Sequence, residues 1–179
     1  FTVKVGGLAG APAVTVSGAF GTEDGTFPVH IEAATTDADG SERISSITVS
    51  GAPAGSVFTD GVHTATAYGA PVDLTGWDLD NLSLTPSENY DIDFDLEVSV
   101  TATEPDSGHS TTATETLTVH VTAVNDAPIV ESGSVTVSED ETAVIRLSTG
   151  EVDTGDRVES VRIESLPDHG TLLANGEPV

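Results

Sequence analysis

The chain has 179 residues, five Lys and Arg against thirty Asp and Glu for a formal charge of −25, and no cysteine. Acidity of this degree argues against nucleic acid or an anionic membrane as partner, and without cysteine there is no disulfide framework from which to read a compartment. No apolar run approaches membrane-spanning length, which argues against direct membrane insertion, and no signal peptide opens the chain.

In chain order, Phe1-Thr2-Val3-Lys4-Val5 alternates like a strand and runs into the glycine-rich linker Gly6-Gly7-Leu8-Ala9-Gly10. Alternation returns in Phe27-Pro28-Val29-His30-Ile31-Glu32-Ala33, in Ile44-Ser45-Ser46-Ile47-Thr48-Val49, and from 116 to 124. It is strongest over 91–100, where period two sends Ile92, Phe94, Leu96, Val98 and Val100 into a core and Asp91, Asp93, Asp95 and Glu97 to solvent. Turn residues punctuate the chain at 21–25, 37–40, 51–55, 86–89 and 105–108. The stretch 79–84 reads as easily as strand as helix, and no segment carries a properly capped helix. Trp77, the single Trp, reads as a packing anchor. About seven strands in such a span fit an all-β, immunoglobulin-like or cadherin-like β-sandwich. That regularity, with 37% hydrophobic residues, also opposes disorder.

The chain repeats itself. Ala11-Pro12 recurs as Ala127-Pro128, Glu23-Asp24 as Glu139-Asp140 and Asp37 as Asp153, all at one offset of 116 (127 − 11). From Arg43 the offset is 114 (157 − 43), setting Arg43-Ile44-Ser45-Ser46-Ile47 on Arg157-Val158-Glu159-Ser160-Val161. A period of this length is a whole domain. The expected organisation is therefore a tandem array with incomplete flanking modules: 1–10 the last strand and linker of one, 11–126 a complete module, and 127–179 the first half of the next. A half sandwich should expose apolar surface and open strand edges.

Val124-Asn125-Asp126-Ala127-Pro128 resembles the "VNDAP" junction between cadherin-like repeats of giant bacterial adhesins of the RTX type, exported by type I secretion. Thr22-Glu23-Asp24-Gly25-Thr26, Thr36-Asp37-Ala38-Asp39-Gly40-Ser41-Glu42 and Val49-Ser50-Gly51-Ala52-Pro53-Ala54-Gly55 are similar to the internal signatures of those repeats, in the same order. The resemblance covers nearly all of 11–126 and resumes at Val137-Ser138-Glu139-Asp140-Glu141-Thr142. It implies a monomeric extracellular extender, stiffened by calcium and neighbouring repeats, that holds a binding domain away from the cell in adhesion and biofilm formation.

Loop topology leads to the same ion. Loops alternate between the two ends of a sandwich, which puts the Glu23 loop and the 86–89 loop beside the linker Asn125-Asp126, with Asp153 and Asp156 of the following repeat facing it. Glu23, Asp126, Asp153 and Asp156, with Asn125 and Glu88 in support, offer the hard oxygen donors that calcium needs for its six to eight ligands. Magnesium demands tighter geometry, and zinc would call for His or Cys. Singly, each of these residues is an ordinary turn acid; gathered at one junction they favour calcium. The opposite end offers Asp37, Asp39 and Asp106, but there Ala9-Gly10 stands in place of Asn125-Asp126, so a weaker half-site or a flexible glycine joint is expected.

The five histidines are scattered, and no hydrolase or phosphate-binding motif occurs. Two function classes besides the extender stay open. A loop-mediated module binding a sugar or protein would draw on 57–77, the one stretch able to supply an aromatic surface around Tyr68 and Trp77. A carboxylate hydrolase is disfavoured, because the strand acids read as solvated; no enzyme activity is expected.

Overall fold

The computed structural model describes residues 6–37, 40–150, 152–153 and 155–179. It is all-β, and it divides into two compact units between Asn125 and Asp126. The strand expected over Phe1 to Val5 lies outside the described residues.

Among its described residues the first unit holds eleven strands: β1 (Ala13–Ser17), β2 (Ala19–Thr22), β3 (Phe27–Pro28), β4 (His30–Ala34), β5 (Arg43–Ser50), β6 (Val57–Thr59), β7 (Thr64–Thr66), β8 (Val72–Asp73), β9 (Ser83–Thr85), β10 (Phe94–Thr103) and β11 (Ser110–Thr122). Five of them form a sheet in the order β2-β11-β10-β5-β8, four form a sheet in the order β3-β9-β6-β7, and β1 pairs with β4. Phe27, Phe58 and Leu84 from the four-stranded sheet join Val49, Leu96, Val98, Val100, Leu117 and Val119 from the five-stranded sheet in one core, as in a β-sandwich. Each such side chain contributes about 1.5–3 kcal/mol by leaving water.

The strand count exceeds the seven expected because continuous sequence alternation is divided between sheets. The run 27–33 is split at Val29, whose N–H donates to Leu82 O, so β3 pairs with β9 while β4 turns to β1. Gly18 likewise separates β1 from β2, which runs parallel to β11. At Gly21 a Cβ would stand 1.9 Å from the Phe27 ring, so only glycine lets β2 pass over that core side chain. The ambiguous stretch near residue 80 divides as well: Leu79–Asn81 is one 3-10 turn capped by Asp78, and β9 follows.

One inward assignment is corrected. Leu96, Val98 and Val100 are fully buried as expected and Phe94 packs against the core, but Ile92 is 54% exposed. The strand begins only at Phe94. A turn closed by Tyr90 N–H on Ser87 O, with Asn89 at φ 56°, precedes it, and Asp93 spends its carboxylate on Val121 N–H. Asp95 and Glu97 stay on the exposed face.

Among its described residues the second unit has four two-residue strands. Here β12 (Ile129–Val130) pairs with β13 (Thr149–Gly150), and β14 (Leu173–Ala174) pairs with β15 (Glu177–Pro178) around the positive-φ pair Asn175-Gly176. Its apolar side chains stay largely in water: Val144, Val130 and Leu147 are 77%, 74% and 61% exposed.

Candidate metal centre

Strand phase decides where the important acids go. Along β2 the inward positions are Ala19 and Gly21, and the next step of two reaches Glu23, just past the strand end and 2% exposed. Glu23 N–H donates to Thr122 O at 3.0 Å, prolonging the β2–β11 ladder. Its carboxylate turns to the outgoing chain: Oε1 accepts from Val124 N–H at 2.6 Å, and Oε2 is enclosed without a donor. The neighbouring Asp24, at φ 56°, accepts from Asn89 N–H at 2.9 Å. The Glu23 loop and the 86–89 loop thus meet at one end, as the loop count expects, with Glu88 exposed.

In the second unit, Asp126 N–H donates to Asp153 Oδ2 at 2.8 Å, and Asp153 Oδ1 is enclosed without a donor. Asp156 N–H donates to Asp153 O at 3.3 Å, but the Asp156 side chain is exposed, as is Asn125 at the end of the first unit. Glu23 belongs to the first unit, and Asp126 and Asp153 belong to the second. A buried carboxylate oxygen without a donor is costly, and a cation relieves that cost directly.

The opposite end of the first unit differs from the sequence reading. Asp39 lies outside the described residues. Asp106 is exposed and contributes its N–H, which donates to Glu104 Oε1 at 3.2 Å. Asp37 Oδ2 accepts from Ser41 Oγ at 3.1 Å. The buried acids are two that the sequence reading passed over, Glu42 and Glu104, at 7% and 3% exposure. Glu104 continues the inward row Leu96, Val98, Val100, Ala102 by one more step of two. Glu42 comes inward because β5 carries a bulge: Thr101 pairs with Ser46 but Ala102 pairs with Ile44, so Ser45 is the extra residue and the inward phase changes there. The linker residues are bonded to the module. Ala9 is buried, its N–H donates to His109 Nδ1 at 3.0 Å, its carbonyl accepts from Thr111 Oγ1 at 2.9 Å, and Gly7 O accepts from Ser107 Oγ at 2.7 Å.

Two Asp–His–aromatic groups lie elsewhere in this unit. Asp60, 6% exposed, accepts from Val62 N–H, His63 N–H, His63 Nδ1 and Asp78 N–H, while the imidazole stacks on Trp77 with centroids 5.3 Å apart. The His63 backbone bond is the chief cause holding the Asp60 carboxyl far below the usual range. Trp77 packs against the core and carries His63 on its ring, which supports a packing anchor over an open stacking platform. Asp93 accepts from Val121 N–H and from His120, whose ring stacks on exposed Phe20; the Val121 bond is the first cause lowering its pKa.

No family model, curated protein or solved structure matches the chain.

Proposed function

We propose that this chain is a non-catalytic structural extender of a bacterial surface adhesin, an array of cadherin-like modules stiffened by calcium at their junctions and working outside the cell. In this reading, calcium is held where the outgoing linker leaves the first unit, by Glu23, Asp126 and Asp153 with Asn125 and Asp156 in support. The observation that carries it is Glu23. One oxygen of this buried carboxylate holds the backbone of Val124, immediately before Asn125-Asp126, and the other has no donor. Asp153 repeats the pattern in its own unit, with one oxygen on Asp126 N–H and the other without a donor. An oxygen-only donor set on loops and a linker suits calcium better than zinc or magnesium. Without the ion the acids repel, and with it the same charges become a brace.

A loop-binding module has one observation in its favour, Tyr68 at 80% exposure, and one against it, the His63 ring covering Trp77.

Calcium titration by calorimetry, paired with small-angle scattering, tests the reading, with magnesium and an Asp126→Ala/Asp153→Ala variant as controls. Extracellular modules of this kind bind with Kd of about 10⁻⁴ to 10⁻³ M, and calcium a hundredfold above Kd adds about 2.7 kcal/mol per site. Calcium should extend and stiffen the wild type and leave the variant bent. A wild-type scattering profile indifferent to calcium would return these acids to turn chemistry.

A further inference from the structure

We propose that Asn175-Gly176, at the tip of the β14–β15 hairpin, is a site of spontaneous covalent modification. The Gly176 nitrogen closes on the Asn175 side chain, ammonia leaves, and water converts the turn to aspartate and isoaspartate. The site lies wholly within the second unit and does not depend on the calcium reading.

The turn demands these two residues and does little to shield them. Asn175 at φ 54° and Gly176 at φ 89° are the left-handed pair of a two-residue hairpin, a geometry that favours Asn-Gly. The hairpin is short: Leu173 pairs with Pro178 and Ala174 with Glu177, and Val179 N–H donates to Leu172 O at 3.1 Å. Residues 173–179 are all exposed. A two-stranded hairpin with no buried face is marginal by itself, so its local opening costs little. A Cβ at Gly176 would meet nothing within 4 Å, so the space around this residue is open.

The amide that follows each candidate side chain separates this position from the others, because ring closure needs that nitrogen free to attack. After Asn81, Leu82 N–H donates to Leu79 O at 3.3 Å, and Asn81 Nδ2 is itself held by Asp78. After Asn89, Tyr90 N–H donates to Ser87 O at 3.2 Å, and after Asn125, Asp126 N–H donates to Asp153 Oδ2 at 2.8 Å. Two Asp-Gly pairs are closed in the same way. Gly25 N–H donates to Thr22 O at 3.2 Å and Gly61 N–H to Thr59 Oγ1 at 3.1 Å, while Asp24 and Asp60 spend their carboxylates on backbone N–H groups. Gly176 N–H has no acceptor among the described residues.

The bonds balance with water as the only co-reactant. Gly176 N gives up its proton and bonds to Asn175 Cγ, the Cγ–Nδ2 bond breaks, and the departing nitrogen takes a proton to leave as ammonia. Water then opens the five-membered succinimide. Attack at Cγ gives aspartate in an ordinary chain. Attack at the Asn175 main-chain carbonyl gives isoaspartate, whose backbone runs through the former side chain and is one carbon longer. Either product puts a carboxylate where a neutral amide stood. A two-residue turn fixes the strand register, so the longer isoaspartyl backbone undoes the β14–β15 pairing and the Val179–Leu172 bond. The second unit thus carries a chemical clock at one hairpin, while the first unit keeps its Asn residues intact.

The test is to age the full chain in ¹⁸O-labelled water at neutral and mildly alkaline pH, beside the same chain in denaturant, and to read its peptides by mass spectrometry. The Asn175 peptide should lose ammonia, gain one labelled oxygen and yield both isoaspartate and aspartate, faster at the higher pH. Its rate in the folded chain should lie within about tenfold of its rate in denaturant, while Asn81 and Asn89 fall more than about tenfold below theirs. Asn175→Gln, which would need a six-membered ring, should stop the conversion. In the aged wild type the Val179 amide should shift while the core amides of Leu96 and Val98 keep their positions. A folded chain that gains no oxygen at Asn175 would overturn the proposal, and so would folded-state conversion of Asn89 as fast as that of Asn175. Aspartate formed without isoaspartate would equally rule out the ring-closing step.

Discussion

Asp60 and Glu42 are both acids buried in the same unit, at 6% and 7% exposure, yet their surroundings are opposite. Asp60 collects four donors, three of them backbone N–H groups, and organises residues 60–63 and the start of the 3-10 turn. Glu42 has one donor, and its second oxygen faces none. Burial is therefore no guide to ligand binding. The number of donors around the charge is what separates an acid that completes the fold from one that awaits a partner.

The same substitution, acid to amide, separates the two most sharply. In Asp60→Asn one acceptor oxygen becomes an NH₂ that faces donors, and buried N–H groups lose their partner. Thermal unfolding in chelator should show a fall in Tm of about 10 °C. An Asp60→Asn protein that melts with the wild type would mean that the loop is held by something other than this carboxylate.

Glu42→Gln should behave the other way. It removes an uncompensated buried charge and keeps an oxygen for Gly10 N–H, so in chelator Tm should hold or rise by up to about 4 °C. A Glu42→Gln protein less stable than wild type in chelator would place Glu42 with Asp60, as an acid the fold has already satisfied.

The sequence made much of this readable. Alternation located β5, β10 and β11, because period two survives wherever a strand remains in one sheet between one buried and one wet face. It did not reveal the division of 27–34 between β3 and β4, since the apolar pattern is the same whichever sheet a strand joins. Ile92 was misplaced because alternation carries no mark of where pairing starts, and Asp93 ends it by turning to Val121. Among the acids, Glu23 stood out through its turn and Asp126 and Asp153 through the repeat. Glu104 was also legible, as the next inward step after Ala102, but an acid at that step reads as the strand's end. Glu42 was not, because its inward position depends on the extra residue Ser45, which only the register against β10 reveals.

Acid should leave Asp60 untouched for longest. Its folded pKa lies below the unfolded value of about 3.9, so its contribution is fully present above that unfolded value and is lost as pH falls through the folded one. Between neutrality and pH about 4, the Asp60 carboxyl carbon should therefore hold its NMR position, and it should move only in stronger acid. Asp73, lowered first by the Thr75 hydroxyl and then by its N–H, should follow the same sign. Carboxyl ¹³C titration reads both directly. If Asp60 titrates in the ordinary carboxylate range, its four donors do not favour the charged form, and the distinction between a satisfied and an unsatisfied buried acid loses its electrostatic basis.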